Sequence, residues 1–309
     1  MEVLSRDVWQ SRADAHAARI DTFVEPHLAR RADRVKHPVH DFLFTYYSQR
    51  PAQLRRWHPG YGVGLEEAPE YAGLKGYERV ECSTGRDHHE AAHSTHVPES
   101  YVDSQRPLVT STLRLLSATA GRAPQFGCFG LHEWAMVHRA SESGSGTRHD
   151  WPLRLGQEGT DAVVESHRIA CSHFDAFRFF APSARSLNTL QPGRDDRPDF
   201  EQPGCLHAGM DLYGKVAVRL SPMIPSELVM DAFELAWEIR TLDMRAAPYD
   251  FSGLHLDHTD EEWTPVKIET AEGKAEYVAK QREFSERAAP LRQRLLSECD
   301  RLLQAATPT

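Results

Sequence analysis

No apolar run in this sequence approaches the roughly 20 residues that a membrane-spanning helix requires. The opening MEVLSRDVWQSRADAHAARID mixes charges from the start and lacks an apolar core followed by a small-residue cleavage site, so no secretory leader is expected. Cysteine is scarce: five in 309 residues, an odd number thinly spread. That fits free thiols in a reducing cytosol and not a disulfide scaffold. The expectation is a cytoplasmic protein with no membrane partner. A Walker loop, a dinucleotide glycine fingerprint, a GxSxG elbow and a CxxC pair are all missing. Positive charge is also short, with 36 Lys and Arg against 45 Asp and Glu and a net charge of −9. Nucleic-acid affinity comes from cations that neutralise phosphates, so this balance gives such a partner no support. A local basic face remains compatible with it. Arg30, Arg31, Arg34 and Lys36, with Arg50, Arg55 and Arg56, are the candidates, and a solvated helix surface is the simpler reading.

What the sequence does contain is helical spacing. Residues 5–32 read as a helix with Val8, Trp9, Ile20, Phe23 and Leu28 as apolar contacts and a kink at Pro26. Residues 38–49 read as an aromatic helix opened by Pro38 and ended by Pro51. The Gly-, Pro- and His-rich stretch 58–98 holds at most two short strands, near 61–65 and 77–82. Helical spacing returns at 100–119, interrupted by Pro107, and residues 128–140 look like a buried helix. Residues 143–147 form a loop, 160–168 a short helix and 181–204 a long loop of the kind that often carries function. Residues 169–180 are either extended or tightly helical. Three strong helices follow, at 206–220, 226–243 and 274–304. The second carries a stripe of Leu228, Val229, Ala232, Leu235, Ala236, Ile239 and Leu242. The third carries Tyr277, Gln281, Phe284, Ala288, Leu291, Leu295, Cys299 and Leu302, with a bend at Pro290. No stretch alternates βαβ, and neither an internal repeat nor a clean linker is visible. The expected fold is mainly α: one helical-bundle domain over 1–309, with an N-terminal helix (1–36), a core bearing the site (38–272) and a C-terminal helix (273–304).

Chemistry-bearing residues gather in three short segments. In the first, Cys128 and His132 stand four apart on one helix face, with Glu133 beside them and His138 about 120° around. This is not the HExxH zinc spacing. Glu133 in so apolar a setting is a candidate general acid or base, or a buried ion-pair partner. In the second, Cys171, His173 and Asp175 share one face if the chain is extended. A His–Asp pair binds metal or fixes an imidazole tautomer, while Arg178 offers Asp175 a plain ion pair. In the third, Cys205 precedes a helix whose first turn holds His207. Its dipole depresses that imidazole's pKa, and Asp211 follows one turn on. Cys171, His173, Cys205 and His207 could make a zinc shell. Glu133, His173, Asp175, His207 and Asp211 would instead suit iron or manganese. The His-rich run Asp87, His88, His89, Glu90, His93 and His96 reads as a solvated or weakly metal-binding segment. Asp243, Arg245, Tyr249 and Asp250 could reach a cleft or serve as a helix cap.

The segments FGCFGLHEWAMVHR, CSHFDAFRFFAPSARSLN, PGCLHAGMDLY and SELVMDAFELAWEIRTLDMRAAPYDFSGL resemble a group of actinobacterial proteins labelled 3-methyladenine DNA glycosylase. HDFLFTYYSQRPAQLRRWHPG and IETAEGKAEYVAKQREFSERAAPLRQRLL extend the likeness over most of residues 38–300. The resemblance implies hydrolysis of the N-glycosidic bond of an alkylated purine, with DNA as partner and the base flipped out and stacked between aromatics. Trp134, Phe174, Phe177 or Tyr213 would provide that stack with Arg178 beside it. Glu133, Asp175 or Asp211 would activate water or steady the sugar cation. The residues themselves point to a rival: a metal-dependent enzyme acting on a small molecule, with His132, His173 and His207 plus the same carboxylates as ligands of one zinc or iron ion. A helical binding protein whose His and Cys residues only pack is the third reading.

Overall fold

The computed structural model describes residues 1–47, 49–82, 92–143, 151–257 and 259–305. It is mainly α, as the patterning predicts, with one small sheet. Among the described residues no helix is long and apolar enough to cross a membrane.

The central element is the helix Ser226–Arg245, entered directly after Pro225. Its expected stripe is buried, and so are Met230, Phe233, Trp237, Arg240, Asp243 and Met244 on the other faces. A helix buried this fully is a core helix, with neighbours all round. Each of Phe233, Ile239 and Leu242 stabilises the fold by about 1.5–3 kcal/mol through burial. The helix Ala271–Ala305 packs against it and against Arg106–Ala120, burying Tyr277, Gln281, Phe284, Ala288, Leu295, Cys299 and Leu302, with Leu291 partly buried. The chain over 206–220 is helical as expected but not uniformly α. Leu206–Asp211 is α, Leu212–Ala217 is π and Val218–Leu220 is α again. Single π turns inside α-helices mark functional sites more often than chance.

Several expectations are corrected. The first helix spans Arg6–Ala32, but Val8 and Leu28 are exposed at 45% and 41%. Its buried stripe is Trp9, His16, Ile20, Phe23, Val24 and His27, because two imidazoles find partners: His16 the Leu54 carbonyl, His27 the Asp41 carboxylate. The aromatic helix shrinks to Asp41–Thr45, since His37 Nδ1 accepts from the Val39 and His40 amides and holds a turn where the helix was to begin. Residues 99–120 form two helices, Glu99–Ser104 and Arg106–Ala120, with Pro107 in the first turn of the second. The buried helix at 128–140 is only Leu131–Met136. The sheet has four strands where two were expected: Glu2–Leu4, Val63–Glu66, Ala92–His96 and Glu78–Cys82, in that spatial order. Val3 pairs Gly64 in parallel, while Leu65 with Thr95 and Val80 with Ser94 are antiparallel. The expected pair corresponds to Val63–Glu66 and Glu78–Cys82; Glu2–Leu4 was hidden by its shortness and Ala92–His96 by its polar sequence.

Candidate metal centre

Two turns aim the chemistry inward. Before the helix Leu131–Met136, Phe129 and Gly130 take φ of 49° and 72°. Glycine occupies that region without steric cost, and a Cβ at Gly130 would lie 3.3 Å from that of Ala246. The tight approach lays His132 and Glu133 against the 226–245 helix, where Asp243 and Arg240 wait. Cys205 caps the helix Leu206–Asp211 and sets His207 in its first turn.

His132 Nε2 lies 3.0 Å from Asp243 Oδ1, with both side chains sealed from solvent. The His207 ring meets the His132 ring edge-on at 4.6 Å between centroids. One ligand atom from each of His132, His207 and Asp243 lies within 4.8 Å of the others. Neither His132 Nε2 nor Asp243 Oδ1 makes a hydrogen bond of acceptable direction, so their approach is close but off-axis. Two ligands at right angles around an ion, each bonded at ~2.1 Å, would stand ~3.0 Å apart. The second Asp243 oxygen is held by Arg240 at 3.2 Å, and Arg240 also faces Glu133 Oε1 at 3.6 Å and covers the Phe42 ring at 4.0 Å.

The electrostatics suit a cation. Burial, reinforced by His132, pushes His207 down to about 3, leaving a neutral ring with its lone pair available. The expected direction was right, but desolvation leads where the helix dipole had been invoked. Burial works against both charges of the His132–Asp243 pair, yet each overrides it for the other. His132 is raised well above its ordinary value and Asp243 held well below the carboxylate range.

Next to this trio stands a second, His173, Glu201 and Asp211, all buried. His173 Nε2 lies 3.1 Å from Asp211 Oδ2 and 3.4 Å from Glu201 Oε1. Here a cation is already built in: Arg197 contacts the same Asp211 oxygen at 2.8 Å and the same Glu201 oxygen through Nε. This cluster is an internally compensated ion network. Tyr47 donates to Asp211 at 3.4 Å, and its ring lies where a Cβ on Gly214, inside the π turn, would come within 2.0 Å. A third grouping, His37, His40 and Asp257, is likewise committed. His37 donates to the His255 carbonyl, His40 stacks on Trp237 and Asp257 pairs with Arg30.

A cavity of about 470 Å³ opens beside the first trio. His132, His207, Cys128, Cys171 and Cys205 all line it, together with Tyr277 and Gln281. Cys128 Sγ lies 3.8 Å from His132 Nδ1. The Cys171 thiol, with His132, holds Cys128 well below the ordinary thiol value, while Cys171 is raised by its proximity to Cys128 and by burial. On the other side of His207 lies a chamber of about 20 Å³, lined by Tyr47, Glu133, His173, Asp211 and Arg240.

The three sequence segments therefore converge, but not in the combinations expected. Cys171, His173 and Asp175 diverge because the extended run ends at the short helix Phe174–Phe177. Cys171 faces the cavity, His173 the second trio, and Asp175 pairs with Arg178 at 3.0 Å and Lys215 at 3.1 Å. His207 and Asp211 serve different trios, and among the described residues no ion-sized grouping includes a cysteine. The Cys171–His173–Cys205–His207 zinc shell is thus not assembled. Trp134 is fully buried and donates to the Ala246 carbonyl, and Tyr213 is fully buried against Phe233, so neither is placed to stack on a base. Phe174 and Phe177 are half-buried, and Arg178 is exposed. His138 lies away from the centre, on Glu165 and Ser183. Of the 243–250 group, only Asp243 reaches the site; Tyr249 packs in a satellite core, Arg245 binds Thr264 and Asp250 binds Ser252. Asp87, His88, His89 and Glu90 lie outside the described residues, as do 144–147; His93 and His96 belong to a strand. Sequence reasoning missed Glu201, Arg197 and Arg240. The one signal for Arg240 was a charge inside an otherwise apolar helix. No family model, no curated protein and no solved structure matches this chain.

Proposed function

We propose that the chain is a metal-dependent enzyme acting on a small molecule. His132, His207 and Asp243 would hold one divalent transition-metal ion at the wall of the 470 Å³ cavity. The observation that carries this is the meeting of the buried His132 and Asp243 with the half-buried His207, one ligand atom of each within 4.8 Å of the others, next to a chamber of substrate size. Two His and one carboxylate leave coordination positions open, the donor set of non-haem iron sites, and zinc or manganese accepts the same donors. A bound ion would act as a Lewis acid or generate a nucleophile from water. His207 and Cys128 would face the reacting group from the protein side, and Arg240 would steady Asp243 from behind.

A second reading, the DNA glycosylase activity that the resemblance implies, has one observation in its favour. An open cleft of about 600 Å³ is lined by Arg106, Arg114, Arg194 and Arg219 with Asp195, together with Arg197 and Lys215, which are already paired to carboxylates. The burial of Trp134 and Tyr213 counts against it. Elemental analysis of untagged protein, loaded anaerobically with iron(II), manganese or zinc, separates the two. Stoichiometric metal that is lost in His132→Ala, His207→Ala and Asp243→Asn but kept in His173→Ala supports the metal enzyme. No retained metal, with salt-sensitive release of 3-methyladenine from alkylated DNA, would establish the glycosylase.

A further inference from the structure

We infer that the cavity beside His132 and His207 takes an organic monoanion, a carboxylate on an apolar body, and that Arg168 at its mouth fixes the charged end. This rests on reading the cavity as the substrate chamber of the proposed centre and names the class of molecule that enters. At about 470 Å³ it has the volume of about fifteen liquid waters, inside the range of small-molecule sites.

No aspartate or glutamate lines this cavity, although the chain has 45 of them. Two arginines do. Arg122 donates to the backbone carbonyls of Ala118 at 3.0 Å and Glu201 at 3.2 Å, so its charge meets no carboxylate. Arg168 is exposed and has no hydrogen-bond or ion-pair partner among the described residues. In an acidic protein, unpaired guanidinium groups at a partly enclosed opening focus a positive potential on it and draw in anions. Arginine is also the side chain suited to two-pronged carboxylate binding.

Exposure gives the chamber a direction. Arg168, Gln125 and Thr189 are exposed and mark the mouth, whereas His132, Cys171 and Tyr277 are buried and mark the floor. Between them the wall is apolar, formed by Leu190, Phe200 and Leu206. A ligand with its carboxylate on Arg168 lays its body along that wall and brings its far end to Cys128 and His207. One unpaired guanidinium, with a second already half-committed to backbone, matches a single negative charge better than a dianionic phosphate ester.

Calorimetric titration of the full-length protein as purified, with octanoate and with octanol, tests the inference; the series is repeated after dialysis against a chelator. Octanoate should bind on the order of tenfold tighter than octanol. Arg168→Gln should remove most of that difference and leave octanol unchanged, and Arg168→Lys should restore part of it. Equal affinities, or an Arg168→Gln protein that still prefers the acid, overturn the inference. So does a preference that vanishes with the chelator, because the anion would then sit on the ion. A preference shown by protein that takes up no iron(II), manganese or zinc on loading keeps the anion site and removes the metal reading, so the two fail separately.

Discussion

His132 Nε2 and Asp243 Oδ1 stand 3.0 Å apart in the core without hydrogen-bond alignment, while the other oxygen of Asp243 is held by Arg240. A pair that existed only to stabilise the fold would gain most by aligning the N–H with the carboxylate. Two donor atoms left without an aligned partner, with a third from His207 within 4.8 Å, fit a shared ligand better. The protonated His132 and ionised Asp243 make the ion-free form tolerable, because each charge offsets the burial of the other.

Metal affinity should therefore depend steeply on pH. The ion must displace the proton of His132, whose pKa is raised, so affinity should fall about tenfold per pH unit below that pKa. Competition titrations with a chromophoric chelator across pH read the slope directly. A flat profile would mean that His132 is not a ligand.

Arg240 should matter for stability as well as for the ion. Arg240→Met keeps the bulk over Phe42 but strands Glu133 as a buried charge and leaves Asp243 to His132 alone. The expected loss is about 3–5 kcal/mol in denaturant unfolding, together with a 10–100-fold weaker metal site, the usual effect of removing an outer partner.

At Gly214 the constraint is steric. A methyl group there would collide with the Tyr47 ring, whose hydroxyl donates to Asp211, so the ring must shift. Gly214→Ala should cost about 1–3 kcal/mol, as overpacked positions do. Since Asp211 belongs to the compensated trio, metal content should be unchanged. Thermal unfolding and elemental analysis of one preparation check both halves.

His58, packed against Tyr77 with Nδ1 2.9 Å from its hydroxyl, is pushed by burial down to about 3. The unfolded chain takes up a proton near the ordinary value of 6.5, and the folded chain does not until near 3. Stability from this residue is thus complete above 6.5 and falls as pH drops toward 3, by up to about 1.4 kcal/mol per pH unit. His58→Asn should flatten that part of the stability–pH curve measured by urea unfolding.

Thiol reactivity should rank with the cavity chemistry. Cys128 is held below the ordinary thiol value and lines the cavity, whereas burial pushes Cys299 up to about 12. Iodoacetamide at neutral pH should mark Cys128 before Cys299, as peptide mass spectrometry would show. The order should survive a His173→Ala substitution but weaken in His132→Ala, which removes the neighbouring imidazole.

Much of the fold was legible because period is a local property. The 226–245 and 271–305 helices announce themselves by apolar residues every three to four positions. The edge strand Glu2–Leu4 did not, because three residues carry no readable alternation and only pairing with Val63–Glu66 makes them a strand. Val8 and Leu28 misled for a related reason: an imidazole with a partner can displace a hydrophobe from the buried stripe.

The sequence by itself determined the helical character, the absence of a membrane-spanning run, and the segments around 128–138, 171–178 and 205–213 that carry the imidazoles, thiols and carboxylates. Only the tertiary structure decided who meets whom. Asp243 joins His132 and His207 from a helix that read as core, while Arg197, from the short helix Arg197–Phe200 inside the stretch that read as a long loop, claims Asp211 and Glu201. The reason is physical: helix period fixes which face a side chain occupies. Whether that face meets a counter-charge or another ligand depends on neighbours distant in the chain, brought near by packing that no local pattern encodes.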